Sequence, residues 1–99
     1  MESLDRNYII GLYDIYGVLL TDKQRSYFED YYFMDLSISE IAENYEISRN
    51  GVHDQVKRAV IALEEYEAKL KLYEKITKIE ALDIDSEVKK MIFNVLMED

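Results

Sequence analysis

Residues 20–58 read LTDKQRSYFEDYYFMDLSISEIAENYEISRNGVHDQVKR and contain three helix starts in quick succession. Two of them have the pattern of a capping box, in which a hydroxyl and a side chain three residues later each satisfy a backbone N–H of the first turn. Thr21 pairs with Gln24 in the first box, and Ser37 pairs with Glu40 in the second. We therefore expect one helix to begin at each box.

The third helix start is at Ser48, a residue type that favours the N-cap position. Val52, Val56 and Ala59 follow it at the spacing of one helix face. A short helix, a turn of a few residues and a second helix make a helix-turn-helix. The sequence thus predicts a helix-turn-helix core over residues 20–58, with the helix after Ser48 as its recognition helix.

The composition is that of a single small globular domain. The chain has 99 residues, no proline and three glycines; 48% of its residues are hydrophobic and 33% are charged. The absence of cysteine excludes disulfides and thiolate metal sites. The N-terminal stretch is polar and acidic, unlike a signal peptide, and no apolar run approaches the ~20 residues of a membrane span. A soluble cytoplasmic protein is the expectation.

Hydrophobic periodicity extends the helical prediction to the whole chain, which we interpret as one all-α domain over residues 1–99. Ser3 is the candidate cap of the first helix, and Asp85 and Ser86 are the candidate caps of the last. Residues 59–99 then form a helical extension followed by a C-terminal helix. The predicted helices cover residues 4–16, 22–34, 38–44, 49–79 and 86–97.

The long helix after Ser48 carries an apolar heptad seam that continues to Tyr73. The later part of this seam lies beyond the reach of a three-helix core and must be covered by another surface. A second copy of the chain would cover it in a homodimer, and the chain's own N-terminal helix is the alternative. The residues of this later part are Leu63, Tyr66, Leu70 and Tyr73.

The charge is unevenly distributed along the chain. The net charge is −9, with −7 over residues 1–47, −4 over residues 59–99 and +2 over residues 48–58. The segment 48–58, which is the proposed recognition helix, holds Arg49, Lys57 and Arg58 against Asp54 alone. Phosphate neutralisation supplies most of the affinity of DNA-binding domains, so this patch is a small footprint for nucleic acid.

Three segments of the sequence resemble the bacterial YlxM family, whose members are small helix-turn-helix proteins similar to region 4 of sigma factors. The resemblance covers roughly residues 8–73, and its segments occur in the same order along the chain. They read LYDIYGVLLTDKQRSYFEDYY, DLSISEIAENYEISRNGVHDQVKR and LEEYEAKL.

The resemblance implies an all-helical regulatory protein that gene context associates with the signal recognition particle pathway. It also implies which side chains would face DNA in a sigma-like complex. The turn departs from many helix-turn-helix units, because Tyr45 and Glu46 stand where a glycine is common, and Glu46 adds a negative charge near the expected phosphate backbone. The implied DNA-facing residues are Ser48, Arg49, Asn50, His53, Lys57 and Arg58.

Other chemistry has little support in the sequence. His53 is the sole histidine, and no set of nucleophile, base and orienting group is visible, so we do not expect an enzyme. Glu64, Glu65 and Glu67 point in different directions on a helix and are interpreted as a solvated face. No metal ligand set and no glycine-rich phosphate loop is present, so no cofactor is expected.

Two functions of different classes remain. In the first, the outer face of residues 49–58 enters a major groove and reads DNA as a transcription regulator, within the signal recognition particle pathway or unconnected to it. In the second, the same fold binds a basic component of the signal recognition particle through its acidic surface. The polar outer face of the recognition helix favours the first function, and the net charge favours the second.

Overall fold

The computed structural model describes residues 5–98, and every regular element in this range is helical, which confirms the all-α class. A 3-10 turn, Gly17–Leu19, links the first two α-helices. None of the helices between residues 5 and 98 is both long and apolar enough to cross a bilayer. The helices are α1 (Arg6–Tyr16), α2 (Asp22–Tyr32), α3 (Ile38–Tyr45), α4 (Arg49–Leu70), α5 (Leu72–Glu80) and α6 (Ser86–Met97).

Both predicted capping boxes form. The hydroxyl of Thr21 accepts the N–H of Gln24 at 3.1 Å, and the amide oxygen of Gln24 accepts the N–H of Thr21 at 3.0 Å. Ser37 and Glu40 make the same reciprocal pair, with both distances 3.0 Å. The N–H of Ser37 also lowers the pKa of the Glu40 carboxyl, because it donates to the charged form. These bonds fix the first residues of α2 and α3.

The first and last helices begin at aspartates. The carboxylate of Asp5 accepts the N–H of Asn7 at 3.0 Å, and that of Asp85 accepts the N–H of Glu87 at 2.9 Å. Asp85 is therefore confirmed as a cap, whereas Ser86 is the first residue of the helix and not a cap. Ser3, the cap predicted for the first helix, lies outside the described residues. A negative charge at these positions is favoured by the helix dipole.

The core surrounds one side of α4, against which α1, α2 and α3 all pack. Val52, Val56, Ala59 and Leu63 form this side, and each is 0% exposed. Their spacing is that of the predicted seam, so the first four positions of the seam are the inner face of the domain. The neighbouring helices contribute Ile9, Leu12, Tyr16, Tyr27, Phe28, Tyr32, Ile41 and Ala42.

The single long helix predicted over residues 49–79 is wrong, because α4 ends at Leu70. Lys71 takes a left-handed backbone conformation, with φ 56° and ψ 30°, and α5 starts again at Leu72. This conformation costs a residue other than glycine about 1–2 kcal/mol. The heptad pattern continues through Lys71 without a glycine or proline, so contacts from elsewhere must hold the break.

The break is held by a junction between Tyr16 of α1 and Glu67 of α4. The carboxylate of Glu67 accepts the hydroxyl of Tyr16 at 2.6 Å and the N–H groups of Tyr73 and Glu74 at 3.0 and 3.1 Å. The Tyr16 oxygen in turn accepts the N–H of Leu72 at 3.1 Å. Burial and the bond to Glu67 raise the pKa of Tyr16 to about 12, so the phenol remains a donor at neutral pH. The junction satisfies the first N–H groups of α5.

The later part of the seam is covered mainly by α1 of the same chain. Tyr66 stacks on Tyr16 with 5.9 Å between ring centroids, and Tyr73 meets Tyr8 edge to face at 5.0 Å. Leu70 remains 47% exposed. The chain's own N-terminal helix, the alternative partner in the sequence analysis, thus takes most of the surface that was assigned to a second copy.

Gly11 makes the contact between α1 and α5 possible. A Cβ atom at this position would lie 2.6 Å from Cε2 of Tyr73, closer than real Cβ contacts allow. The bare backbone of α1 therefore lets the Tyr73 ring lie directly against it. A glycine in the middle of a helix costs about 0.5–1 kcal/mol relative to alanine, which the packing of Tyr73 offsets.

We expect Glu67→Ala to lower the free energy of unfolding by about 1–3 kcal/mol, because it removes a charged acceptor shared by three donors. Glu65→Ala is the matched control: Glu65 is exposed on the same helix, and its loss should change stability by less than about 0.5 kcal/mol. Urea unfolding followed by circular dichroism measures both. Equal effects of the two substitutions would contradict the role given to Glu67.

Candidate nucleic-acid interface

The helix-turn-helix consists of α3, the turn of residues 46–48 and the first part of α4. The hydroxyl of Ser48 accepts the N–H of Gly51 at 3.0 Å, which confirms Ser48 as the N-cap of α4. A Cβ atom at Gly51 would lie 3.2 Å from this hydroxyl oxygen, so the glycine leaves room for the cap. Ile41 and Ala42 are buried beneath the turn and fix α3 on α4.

Glu46 ends α3 in the left-handed conformation, with φ 56° and ψ 43°. Its N–H donates to the carbonyls of Ala42 and Glu43, and the N–H of Ile47 donates to Ala42 at 3.1 Å. Helices commonly end this way with a glycine, which has no Cβ to strain the backbone. Glu46 therefore adds both backbone strain and a negative charge to the turn.

The outer face of α4 is polar and exposed, whereas its inner face is buried. Asn50, His53 and Lys57 lie along the middle of this face, with Arg49 and Arg58 at its two edges. All five side chains are exposed, as the sequence predicted for a helix whose opposite side enters the core. Ser48, the remaining candidate, is exposed at the helix end, where its hydroxyl is used as the cap.

One of the three cations of this face already has a partner. Arg58 Nε lies 2.9 Å from a carboxylate oxygen of Asp54, one helical turn earlier, and both side chains are more than half exposed, at 66% and 54%. Such exposed pairs contribute little to stability, and they exchange readily with solvent or another anion. Within residues 5–98, Arg49 and Lys57 form no ion pair. The Asp54–Arg58 pair was not recognised in the sequence, although its i, i+4 spacing is visible there.

The other site residues singled out in the sequence lie in different surroundings. Glu67 is the junction carboxylate and not part of a solvated face, whereas Glu65 is exposed and Glu64 is half-buried. His53 is exposed on the outer face of α4. Among residues 5–98 no group of three or more histidine, aspartate and glutamate side chains is arranged to hold a metal ion.

Comparison with known proteins agrees with the family resemblance found in the sequence. The family described as "Putative helix-turn-helix protein, YlxM / p13 like" matches residues 4–96. The chain is 54% identical over 77 residues to a UPF0122 protein of Geobacillus sp. (strain WCH70), covering 78% of the chain and 67% of that relative. It is 49% identical over 75 residues to a UPF0122 protein of Staphylococcus haemolyticus (strain JCSC1435), covering 76% and 66%. The aligned region thus spans about two thirds of each relative.

We expect Glu46→Gly to raise the free energy of unfolding by about 0.5–1 kcal/mol, because relief of the left-handed strain exceeds the entropic cost of glycine. Glu46→Gln keeps the Cβ and removes only the charge, so it should change stability by less than about 0.5 kcal/mol. Urea unfolding compares the two variants. A loss of stability in Glu46→Gly would show that the side chain of Glu46 stabilises the turn more than its backbone strains it.

Proposed function

This chain belongs to the YlxM/p13-like family of helix-turn-helix proteins, and we propose that it is a non-enzymatic regulatory protein that binds DNA through the outer face of α4. The observation that supports this most is the contrast between the two sides of α4. Val52 and Val56 are 0% exposed, while Asn50 and the two residues that directly follow the valines, His53 and Lys57, face solvent. A polar helix face held rigidly by a buried one suits insertion into a major groove.

The side chains of this face have two roles in the proposed complex, base recognition and phosphate contact. Asn50 and Arg49, at the N-terminal end of α4, have the donors and acceptors that pair with adenine and guanine edges. Lys57 and Arg58, two turns later, would contact phosphates in this complex, and such contacts position a protein without reading sequence. The N-terminus of α4 adds a partial positive charge toward the DNA.

The pathway is part of the proposal as well. The resemblance of the sequence associates such chains with the signal recognition particle pathway, and we assign the regulatory role to it. A second candidate function is direct binding to a basic component of that particle. It is favoured by the charge of the chain, which has 21 acids against 12 bases.

A homodimer belongs to the same proposal. Three cations per chain neutralise few phosphates, and helix-turn-helix proteins commonly gain affinity by presenting two recognition helices about one DNA turn apart. Two copies would double the number of phosphate contacts on one duplex.

If α4 binds DNA, changing Arg49, Lys57 and Arg58 together to glutamine should abolish binding to a random duplex. For the unchanged chain, two to three phosphate contacts predict that affinity per monomer falls about 10- to 40-fold between roughly 50 and 200 mM salt. Fluorescence anisotropy of a labelled duplex measures both effects.

The matched control changes Lys23, Lys69 and Lys75 to glutamine, which alters the net charge equally at exposed positions outside residues 48–58. An equal loss of binding in both triple variants would contradict a specific role for α4. If a basic protein is the partner instead, the α4 variant should still bind it. Reversal of Glu64 and Glu65 to lysine should then weaken that complex.

Asp54→Asn should strengthen DNA binding, because it frees Arg58 and raises the charge of residues 48–58 from +2 to +3. The added phosphate contact should steepen the log–log salt dependence by up to about 0.9. Asp83→Asn, which removes an exposed carboxylate from another part of the chain, is the control and should leave the slope unchanged. Weaker binding of Asp54→Asn would show that Asp54 itself contacts the DNA.

A further inference from the structure

The C-terminal helix α6 has a clear apolar face but no buried residue. Val88 is 44% exposed, Met91 66%, Val95 68% and Leu96 45%, and Ile92 lies between them in the same shallow groove. Leu82 and Ile84, which precede the helix, are also exposed. Monomeric proteins rarely leave so continuous an apolar surface in water.

The total surface of the chain is consistent with a missing partner. It measures 6911 Å², whereas a compact monomer of 11.8 kDa exposes about 5,900 Å². The radius of gyration is 15.7 Å, compared with about 13 Å for a compact domain of this length. The chain therefore exposes roughly 1,000 Å² more than a compact monomer of its mass, and the uncovered apolar face of α6 is part of this surface.

The spacing of the apolar residues on α6 suits a second copy of the same helix. Val88, Met91, Ile92 and Val95 follow one another by three, one and three residues, so the pattern is the same in either direction. If two α6 helices run antiparallel about a twofold axis between positions 91 and 92, Val88 of each faces Val95 of the other. A twofold interface requires such a self-complementary surface.

The local charge also favours pairing of like chains at this place. Residues 86–97 carry Lys89 and Lys90 against Glu87, for a net +1, although the whole chain has −9. Two acidic chains repel each other least where their surfaces are not acidic. The heptad seam of α4 offers no equivalent surface, because Leu63 is 0% exposed and α1 covers Tyr66 and Tyr73.

We propose that α6 pairs antiparallel with α6 of a second copy and that this pair is the dimer interface of the protein. The proposal moves the expected interface from Leu63, Tyr66, Leu70 and Tyr73 to the C-terminal helix. It rests on the homodimer of the proposed function, but its test contains no DNA, so failure of pairing and failure of DNA binding are observed separately.

Sedimentation equilibrium of the full chain should give twice the monomer mass of 11.8 kDa, with a Kd of about 10 µM or tighter. Met91→Glu should raise this Kd at least tenfold. Met34→Glu is a closely matched control, because Met34 is also 66% exposed but follows α2, outside the proposed interface. Circular dichroism should show that both variants keep the helical content of the unchanged chain.

A second measurement does not depend on the glutamate variants. The chain contains no cysteine, so a single cysteine at Met91→Cys forms a disulfide only between copies. Near a twofold axis the two sulfurs can meet, and oxidation should give a covalent dimer with Met91→Cys but not with Met34→Cys. The proposal is overturned if the unchanged chain is monomeric at about 100 µM, a concentration well above the expected Kd. A Kd of Met91→Glu equal to that of the unchanged chain, or equal cross-linking of the two cysteine variants, would also overturn it.

Discussion

The complete burial of one side of α4 is the constraint on which the rest of the structure depends. Val52, Val56, Ala59 and Leu63 are fully enclosed, and α1, α2 and α3 all pack against this side. Full burial of one valine or leucine contributes about 1.5–3 kcal/mol, a large part of a net stability of about 5–15 kcal/mol. Rotation of α4 would expose this side, so the packing that stabilises the domain also fixes the direction in which the outer face points.

The sequence predicted the elements whose causes are local. A capping box joins residues three apart, such as Ser37 and Glu40, so the start of each helix could be located from the sequence alone. The break at Lys71 could not, because its cause is a hydrogen bond between Tyr16 and Glu67, which are 51 residues apart. Heptad periodicity continues across the break and predicts one long helix. The same lack of distant information left two candidate partners for the seam, a second copy and the N-terminal helix, and α1 covers most of it in the structure.

The exposed residues of the candidate interface could be predicted from the sequence, but the ion pair within it could not. Once Val52 and Val56 face the core, helical geometry alone exposes the opposite side of α4. Whether Arg58 meets Asp54 depends on side-chain rotamers, which the i, i+4 spacing permits but does not require. The sequence showed that position 46 lacks the glycine common in such turns. The structure shows the consequence, because Glu46 takes a left-handed conformation that glycine adopts without strain. The patch is therefore less positive than its count of three cations suggests.

Pairing through α6 would change how so acidic a chain can bind DNA. At physiological salt the Debye length is about 8 Å, so carboxylates farther than this from the duplex repel it weakly, while cations in contact with phosphates act at full strength. One chain would supply two or three such cations, and a pair would supply twice as many on one duplex. The slope of log affinity against log salt concentration would then double. Affinity for DNA would then depend on protein concentration around the Kd of the dimer. If the two α4 helices of a pair bind one duplex, affinity for DNA would therefore depend on the apolar face of α6 as well as on the number of basic residues on α4.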